Sequence, residues 1–166
     1  VLASEQGAKA RAYVDERRVG TDAVKTFRLG ASPRGGNKLL DYLSAHEVDL
    51  EMALAAGLLR RAGDGSLRDF FWGRLMFPIS DRRGRVIGFG ARSLDGSDPK
   101  YINTPATATF DKRNTLYALH LAATSARDSD SAIVVEGYMD VIAAHEHGYA
   151  NVVASMGTAL TEQQVA

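Results

Sequence analysis

Ala132-Ile133-Val134-Val135-Glu136-Gly137-Tyr138-Met139-Asp140 is the stretch on which the fold turns. Four consecutive apolar residues make a strand of the kind buried on both faces. Tyr138, Val141, Ile142 and His145 follow at i, i+3, i+4 and i+7, so a helix begins directly after the strand. Gly148 closes that helix, Asn151-Val152-Val153-Ala154 reads as the next strand, and a loop and a further helix start follow. A β-α-β-α order implies a parallel sheet with right-handed crossovers. Two strands do not make a stable parallel core, so the sheet is expected to be unfinished, with an exposed edge on its final strand.

Ligands of open parallel sheets bind outside the carboxyl ends of the strands. Glu136 stands at such an end, with Gly137 expected to permit a tight turn and Asp140 in the first turn of the helix on the same side. Two carboxylates there suit a hard cation held by oxygen ligands, retained waters and substrate phosphates. The same string also reads as an Asp complementing the helix dipole beside a solvated strand-end Glu. Ser155-Met156-Gly157-Thr158 reads either as an anion-binding turn of backbone N–H groups or as a plain β-α connection. His46, His120, His145 and His147 share no metal-ligand spacing with a carboxylate, and His145 is expected to be packed.

Upstream, Leu75-Met76-Phe77-Pro78-Ile79 and Val86-Ile87-Gly88-Phe89 flank Asp81-Arg82-Arg83-Gly84 and predict a β-hairpin. Pro78 cannot donate to a ladder, so its strand is expected at an edge or with a bulge. Tyr101-Ile102-Asn103 lies in a short strand fenced by Pro99 and Pro105. The first 60 residues read as helical: one helix over about residues 4–18, and a second starting at Thr21 and ended by Gly30. Ala31 to Gly36 reads as a loop, a third helix carries Leu39, Leu40 and Leu43, and a fourth is capped by Asp49 and closed by Gly57. Leu116, Leu119 and Ala123 predict a helical stripe ahead of the strand at 132. The fold class is therefore α+β: a helical and small antiparallel β lobe, then the first β-α-β-α part of a parallel α/β sheet.

The chain has 166 residues, 45% hydrophobic and 24% charged, as in an ordinary globular protein. It has no apolar run long enough for a membrane helix, no signal peptide, no initiator Met and no cysteine. Without cysteine there are no disulfides, thiolate zinc sites or cysteine nucleophiles. The zero net charge conceals an asymmetry. Residues 1–59 carry 8 basic and 8 acidic side chains, residues 60–113 carry 11 and 6 (+5), and residues 114–166 carry 1 and 6 (−5). A basic block followed by an acidic one suits a polyanion track beside a cation site, and it suits an unevenly charged solvated surface as well. Arg82, Arg83, Arg85, Arg92, Lys100, Lys112 and Arg113, interleaved with Tyr101 and Phe110, suit phosphate contacts and the stacking of unpaired bases, and the Asp-Arg-Arg-Gly turn reads as ordinary surface chemistry as well.

Met76-Phe77-Pro78-Ile79, Arg85-Val86-Ile87-Gly88-Phe89-Gly90-Ala91-Arg92, Pro99-Lys100-Tyr101-Ile102-Asn103 and Val135-Glu136-Gly137-Tyr138-Met139-Asp140-Val141 together resemble, in order, the motifs of bacterial DnaG-type DNA primases. Asp111-Lys112-Arg113 and Val153-Ala154-Ser155-Met156-Gly157-Thr158 match as well. The likeness is close from about residue 70 onward and looser over the helical start. It implies an N-terminal lobe over residues 1–112 and the first part of a Toprim lobe over residues 113–166. The activity implied is template-directed synthesis of short RNA primers on single-stranded DNA from ribonucleoside triphosphates. The resemblance puts Mg²⁺ or Mn²⁺ on Glu136, which with Lys112 is implied to be catalytic. Arg85, Arg92, Lys100, Tyr101 and Asn103 are implied to line the nucleotide and primer-template groove, with Met139 and Asp140 beside the incoming nucleotide. It further implies a monomer in the bacterial cytoplasm, zinc only in a separate N-terminal domain, and a replicative helicase met through a C-terminal domain.

Two other readings compete: another Toprim enzyme, such as a topoisomerase or nuclease, and a non-catalytic module that binds single strands. The resemblance implies that the Asp-x-Asp pair the family uses after the first Toprim glutamate lies beyond Ala166. By itself the chain is therefore expected to make little or no primer. Dinucleotide synthesis on single-stranded template with Mg²⁺ or Mn²⁺ measures this, and robust product from the isolated chain would contradict it.

Overall fold

The computed structural model describes residues 2–157 and 159–165. The N-terminal part of the chain holds four helices, α1 (Ala8–Glu16), α2 (Thr21–Thr26), α3 (Lys38–Ala45) and α4 (Leu50–Ala55), and a sheet of four strands, and α1 and α2 share a core with that sheet. These strands are β1 (Gly30–Ala31), β4 (Arg74–Ser80), β5 (Val86–Ser93) and β6 (Tyr101–Asn103), antiparallel and in that order. β2 (Leu59–Arg61) and β3 (Leu67–Asp69) form a separate hairpin. The chain then runs through α5 (Leu119–Asp128), β7 (Ile133–Val135), α6 (Tyr138–Glu146), β8 (Val152–Ala154) and α7 (Glu162–Val165). β7 and β8 pair in parallel, Ile133 with Val152 and Val135 with Ala154, as the βαβ reading requires.

The central hairpin stands where it was expected. β4 and β5 pair from Arg74 with Ser93 to Ile79 with Gly88, and the register shifts between Ile79 and Ser80. Pro78 meets both of the conditions named for it. β1 pairs only with Leu75 and Met76, so Pro78 lies on the open edge beyond it, next to the bulge. Alternation along β4 puts Leu75, Phe77 and Ile79 on the face that is wholly buried. Against that face pack Ala10 and Val14 of α1, Phe27 and Leu29, and Tyr138, Val141 and Ile142 of α6, so one core spans both halves of the chain. α6 also reaches α2 directly: the Gly20 N–H, at the N-cap of α2, donates to Glu146 Oε1 at 2.6 Å.

Several expectations are corrected. α2 stops at Thr26, before Gly30. Arg28 takes the left-handed conformation at φ 52° and the Leu29 N–H closes on the Val24 carbonyl, a Schellman-type end made without glycine. Gly30 and Ala31 are then free to join the sheet as an edge strand, so the loop begins at Ser32. The β2–β3 hairpin lay unread because Leu-Arg-Arg and Leu-Arg-Asp hold no β-branched or aromatic residue, although Asp64-Gly65 signals the turn. Leu116 lies outside α5. Ala118 at φ 65° separates the two, and Tyr117 instead bridges Ala154 in antiparallel fashion. That bridge engages β8, so among the described residues the open edge belongs to β7 rather than to the last strand. Ile133 and Val134, composed for burial, are 45% and 41% exposed.

α4 ends and begins as predicted, with Asp49 accepting from the Glu51 N–H at 2.9 Å and Gly57 at φ +70°. Of the glycines in β5, Gly90 is the one that packing demands. A Cβ there would come within 2.2 Å of the Tyr138 ring. Gly90→Ala is therefore expected to lower stability by about 2 kcal/mol or more, by overpacking. The urea midpoint reads this directly, and an unchanged midpoint would mean that the ring has another place to go.

Candidate nucleotide and nucleic-acid clefts

β5 and β6 carry most of the expected site residues, and their antiparallel register places Arg92 opposite Tyr101 and Gly90 opposite Asn103. The Arg92 guanidinium stands 4.4 Å from the Tyr13 ring centroid and 5.2 Å from that of Tyr101, and donates to the Tyr101 hydroxyl at 2.7 Å. Its Nε is buried without a hydrogen-bond partner among the described residues. Arg92, Lys100, Tyr13 and Arg17 line a cleft of about 530 Å³. Tyr13 and Arg17 were not singled out in the sequence, and their i, i+4 spacing on α1, with the guanidinium 5.3 Å over the ring, was the available signal. Burial, and then the neighbouring Tyr101, push the Tyr13 hydroxyl pKa above its ordinary value, against the pull of Arg92 and Arg17.

Tyr101, whose hydroxyl Arg92 reaches from this cleft, lines a second, of about 590 Å³, together with Asn103, Lys112, Arg113, Met156 and Gly157. Lys112 sits in a short 3₁₀ turn whose start Asp111 caps by accepting from the Arg113 N–H at 2.8 Å. The Lys112 carbonyl accepts from Gln164 Nε2 of α7 at 2.8 Å, while its ammonium side is exposed to the cleft. Asn103 is less free than a nucleotide contact need be. Its Oδ1 accepts from the Tyr138 hydroxyl at 2.6 Å, and its Nδ2 donates to the Met156 carbonyl at 3.4 Å. Met156 and Gly157 both have positive φ, 60° and 79°, and carry the turn proposed for anions, while Thr158 lies outside the described residues.

Glu136 is exposed at the end of β7 and makes no hydrogen bond or ion pair among the described residues. Asp140 has a structural task, since its Oδ2 accepts from the Gly137 N–H at 3.1 Å and caps α6. Gly137 has φ −125°, an ordinary extended value, so the tight turn expected of it is absent. What its missing Cβ allows is the close return of Asp140, whose Oδ2 would lie 3.0 Å from a Cβ. Met139 is half-buried against the core. Among the described residues no three His, Asp or Glu side chains assemble into a metal-holding group. One exposed carboxylate fits the part of a single oxygen ligand to Mg²⁺, which takes one or two carboxylates and fills its shell with water and phosphate.

Arg85 is not brought to the clefts. It sits at the hairpin turn, seven residues along from Arg92, and its guanidinium grips Asp81 Oδ2 from Nε at 2.7 Å. A third cleft of about 520 Å³, across the 94–100 loop from Lys100, brings together Arg34, Arg60, Trp72 and Arg74 with Asp95, none of them singled out in the sequence. Trp72 is 42% exposed and has the Arg60 guanidinium 5.4 Å over its ring. The histidines behave as packed or surface groups: His145 Nε2 is 2.9 Å from the Val152 carbonyl and its ring meets Phe27 edge-on. Burial lowers the His120 pKa.

The comparisons with known proteins agree with this geometry. Residues 1–123 match the family model of the DNA primase catalytic core, N-terminal domain, and residues 130–166 match that of the Toprim domain. The chain belongs to the family of DnaG-type DNA primase catalytic cores. It is 40% identical over 164 residues to the DNA primase of Listeria monocytogenes and 45% identical over 152 residues to that of Deinococcus radiodurans. These alignments take in 98% and 91% of this chain but 26% and 27% of those proteins, so the chain spans about a quarter of the curated relatives it matches. Among solved structures, the RNA polymerase domain of Mycobacterium tuberculosis primase DnaG, in complex with a double-stranded DNA oligomer with an overhang, superposes with a TM-score of 0.92 at 38% identity over 99% of this chain and 52% of that one. A DnaG primase catalytic domain bound to single-stranded DNA gives 0.89 at 36% identity, over 99% of this chain and 53% of that one.

The loop between the clefts carries a titration that can be measured. Hydrogen bonds from Ser97 and Ser93, with Arg34 nearby, hold the Asp95 carboxyl at about 2, below its ordinary 3.8. A depressed carboxyl pKa contributes stability that is present above the unfolded value and is lost as pH falls through the folded one. Between about pH 4 and pH 2, Asp95→Asn is therefore expected to lose less stability than the parent chain. Urea midpoints across that range are the measurement, and parallel curves would remove Asp95 from the account.

Proposed function

We propose that these clefts form the template- and nucleotide-holding part of a primer-synthesising RNA polymerase site. The observation that carries the reading is the basic-aromatic surface from Arg92 and Lys100, through Tyr101, to Lys112 and Arg113, whose wall at Asn103 is hydrogen-bonded to Tyr138, two residues after Glu136. Single-stranded DNA is the template this surface suits. Lys100, Arg17 and Arg92 meet its phosphates without reading sequence, and the exposed Tyr101 offers a ring to an unpaired base. Trp72 under Arg60 extends that character past the 94–100 loop. Lys112 and Arg113 offset charge on a ribonucleoside triphosphate, and the positive-φ turn at Met156–Gly157 lies along the same wall.

The reaction is attack of a primer 3′-hydroxyl on the α-phosphorus of a nucleoside triphosphate, with pyrophosphate leaving. Mg²⁺ or Mn²⁺, when bound, neutralises phosphate charge and makes the hydroxyl a better nucleophile. In this reading Glu136 is the carboxylate that faces the ion and Lys112 steadies the triphosphate. Asp140 and Met139 serve by shaping the start of α6 beside the incoming nucleotide. Arg85, paired with Asp81, has no part in it.

The same surface would also serve a non-catalytic binding module, and Glu136 separates the two. In the protein that carries this chain, Glu136→Gln is expected to cut primer synthesis about a hundredfold or more, ~3 kcal/mol of transition-state stabilisation. Binding of single-stranded DNA should stay unchanged. Priming at the normal rate by Glu136→Gln would remove the metal role and leave the binding module standing.

A further inference from the structure

We propose that Tyr138 is the positioning residue of this site, a buried phenol that sets how the Glu136 turn stands relative to the nucleotide cleft. The inference rests on the polymerase reading given above. It starts from the place of Tyr138 in the chain. As the first residue of α6 it is two residues from Glu136, and Gly137 between them is the helix N-cap. Whatever fixes Tyr138 therefore fixes the turn, and Glu136 has no hydrogen bond of its own among the described residues to orient it.

The ring is fixed from three sides. It stacks on Phe77 of β4 with centroids 4.7 Å apart and planes at 10°, and meets Tyr117 edge-on at 4.7 Å and 88°. It also occupies the space over Gly90 of β5 where no Cβ could stand. All of this a phenylalanine would satisfy equally. The hydroxyl does something that packing does not. It donates to Asn103 Oδ1 at 2.6 Å, which turns the amide so that Nδ2 points at the Met156 carbonyl. One group thereby ties the wall of the cleft at Asn103, the strained turn at Met156 and the start of the helix behind Glu136.

The two ends of this hydrogen bond give two independent variants. Tyr138→Phe keeps the ring stack, and Asn103→Ala removes the acceptor without entering the core. In the protein that carries this chain, Tyr138→Phe is expected to fold with an unfolding midpoint close to that of the parent, whereas Asn103→Ala, which leaves the buried phenol without its acceptor, is expected to fold with a somewhat lower one. Each should lower the kcat of primer synthesis about tenfold and raise the half-saturating Mg²⁺ concentration severalfold. A role in stability alone would move neither. The double variant should be no worse than the more impaired single one, because both break the same link. Unchanged kcat and Mg²⁺ dependence in Tyr138→Phe, or additive losses in the double variant, would overturn the proposal. Failure of the unaltered protein to prime, or its indifference to Mg²⁺, would instead sink the polymerase reading beneath it.

Discussion

The close approach of the Tyr138 ring to the backbone of β5 at Gly90 is the contact on which the rest of the structure depends. It joins an antiparallel sheet to a parallel one through a single aromatic side chain, and it needs a strand position with no side chain at all. Such a joint is stiff. Phe77 stacks on the ring and Tyr117 meets it edge-on, each with centroids 4.7 Å away. The Glu146 carboxylate on the Gly20 N–H adds a second tie at the far end of the same helix. α6 is thus held at both ends by the N-terminal half, and the two halves share one core instead of meeting as separate bodies.

That rigidity explains how a site can be assembled from distant parts of the chain. Arg92, Asn103, Lys112 and Met156 lie on four different elements or turns, yet line adjoining clefts because the sheet and α6 hold them in register. The charge asymmetry visible in the linear sequence becomes spatial here. The basic block supplies the walls, and the acidic block supplies a carboxylate at the end of β7. On the proposed reading, the phosphate track belongs to the basic block and the holder of the counter-ion to the acidic one.

What could be read from residues alone follows from how local the determinants are. The β4–β5 hairpin, the cap at Asp49 and the β7–α6–β8 unit declare themselves through period and turn chemistry within a dozen residues. The sheet partner β1 does not, because two residues, one of them glycine, carry no pattern; only the contact with Leu75 and Met76 makes them a strand. Tyr117 likewise looked like part of a helical approach, and its bridge to Ala154 is a contact across 37 positions that no local rule contains. Among site residues, Lys112, Tyr101 and Asn103 line one cleft. Tyr13, Arg17 and Trp72 were passed over, since an aromatic on a polar helix or beside a loop has no meaning until an arginine from elsewhere lies over it. Arg85 stands apart, at the hairpin turn in an exposed ion pair with Asp81 and lining neither of these clefts.

The division of labour between the two carboxylates of the β7–α6 turn bears on what any bound ion must find elsewhere. Both stand near a helix N-terminus, where the backbone dipole favours negative charge. Asp140 uses that position to cap the helix through Gly137, so its nearer oxygen is committed. Glu136 is left as the one uncommitted negative charge of the turn, and a single carboxylate is a weak holder for an ion as strongly hydrated as Mg²⁺. The ion's remaining ligands must come from other groups, and in phosphoryl transfer the substrate's own phosphates are the natural ones. On the proposed reading, a site built this way would bind metal and nucleotide together more tightly than either alone. The cation-poor turn and the cation-rich clefts are then two halves of one charge balance that only the substrate completes.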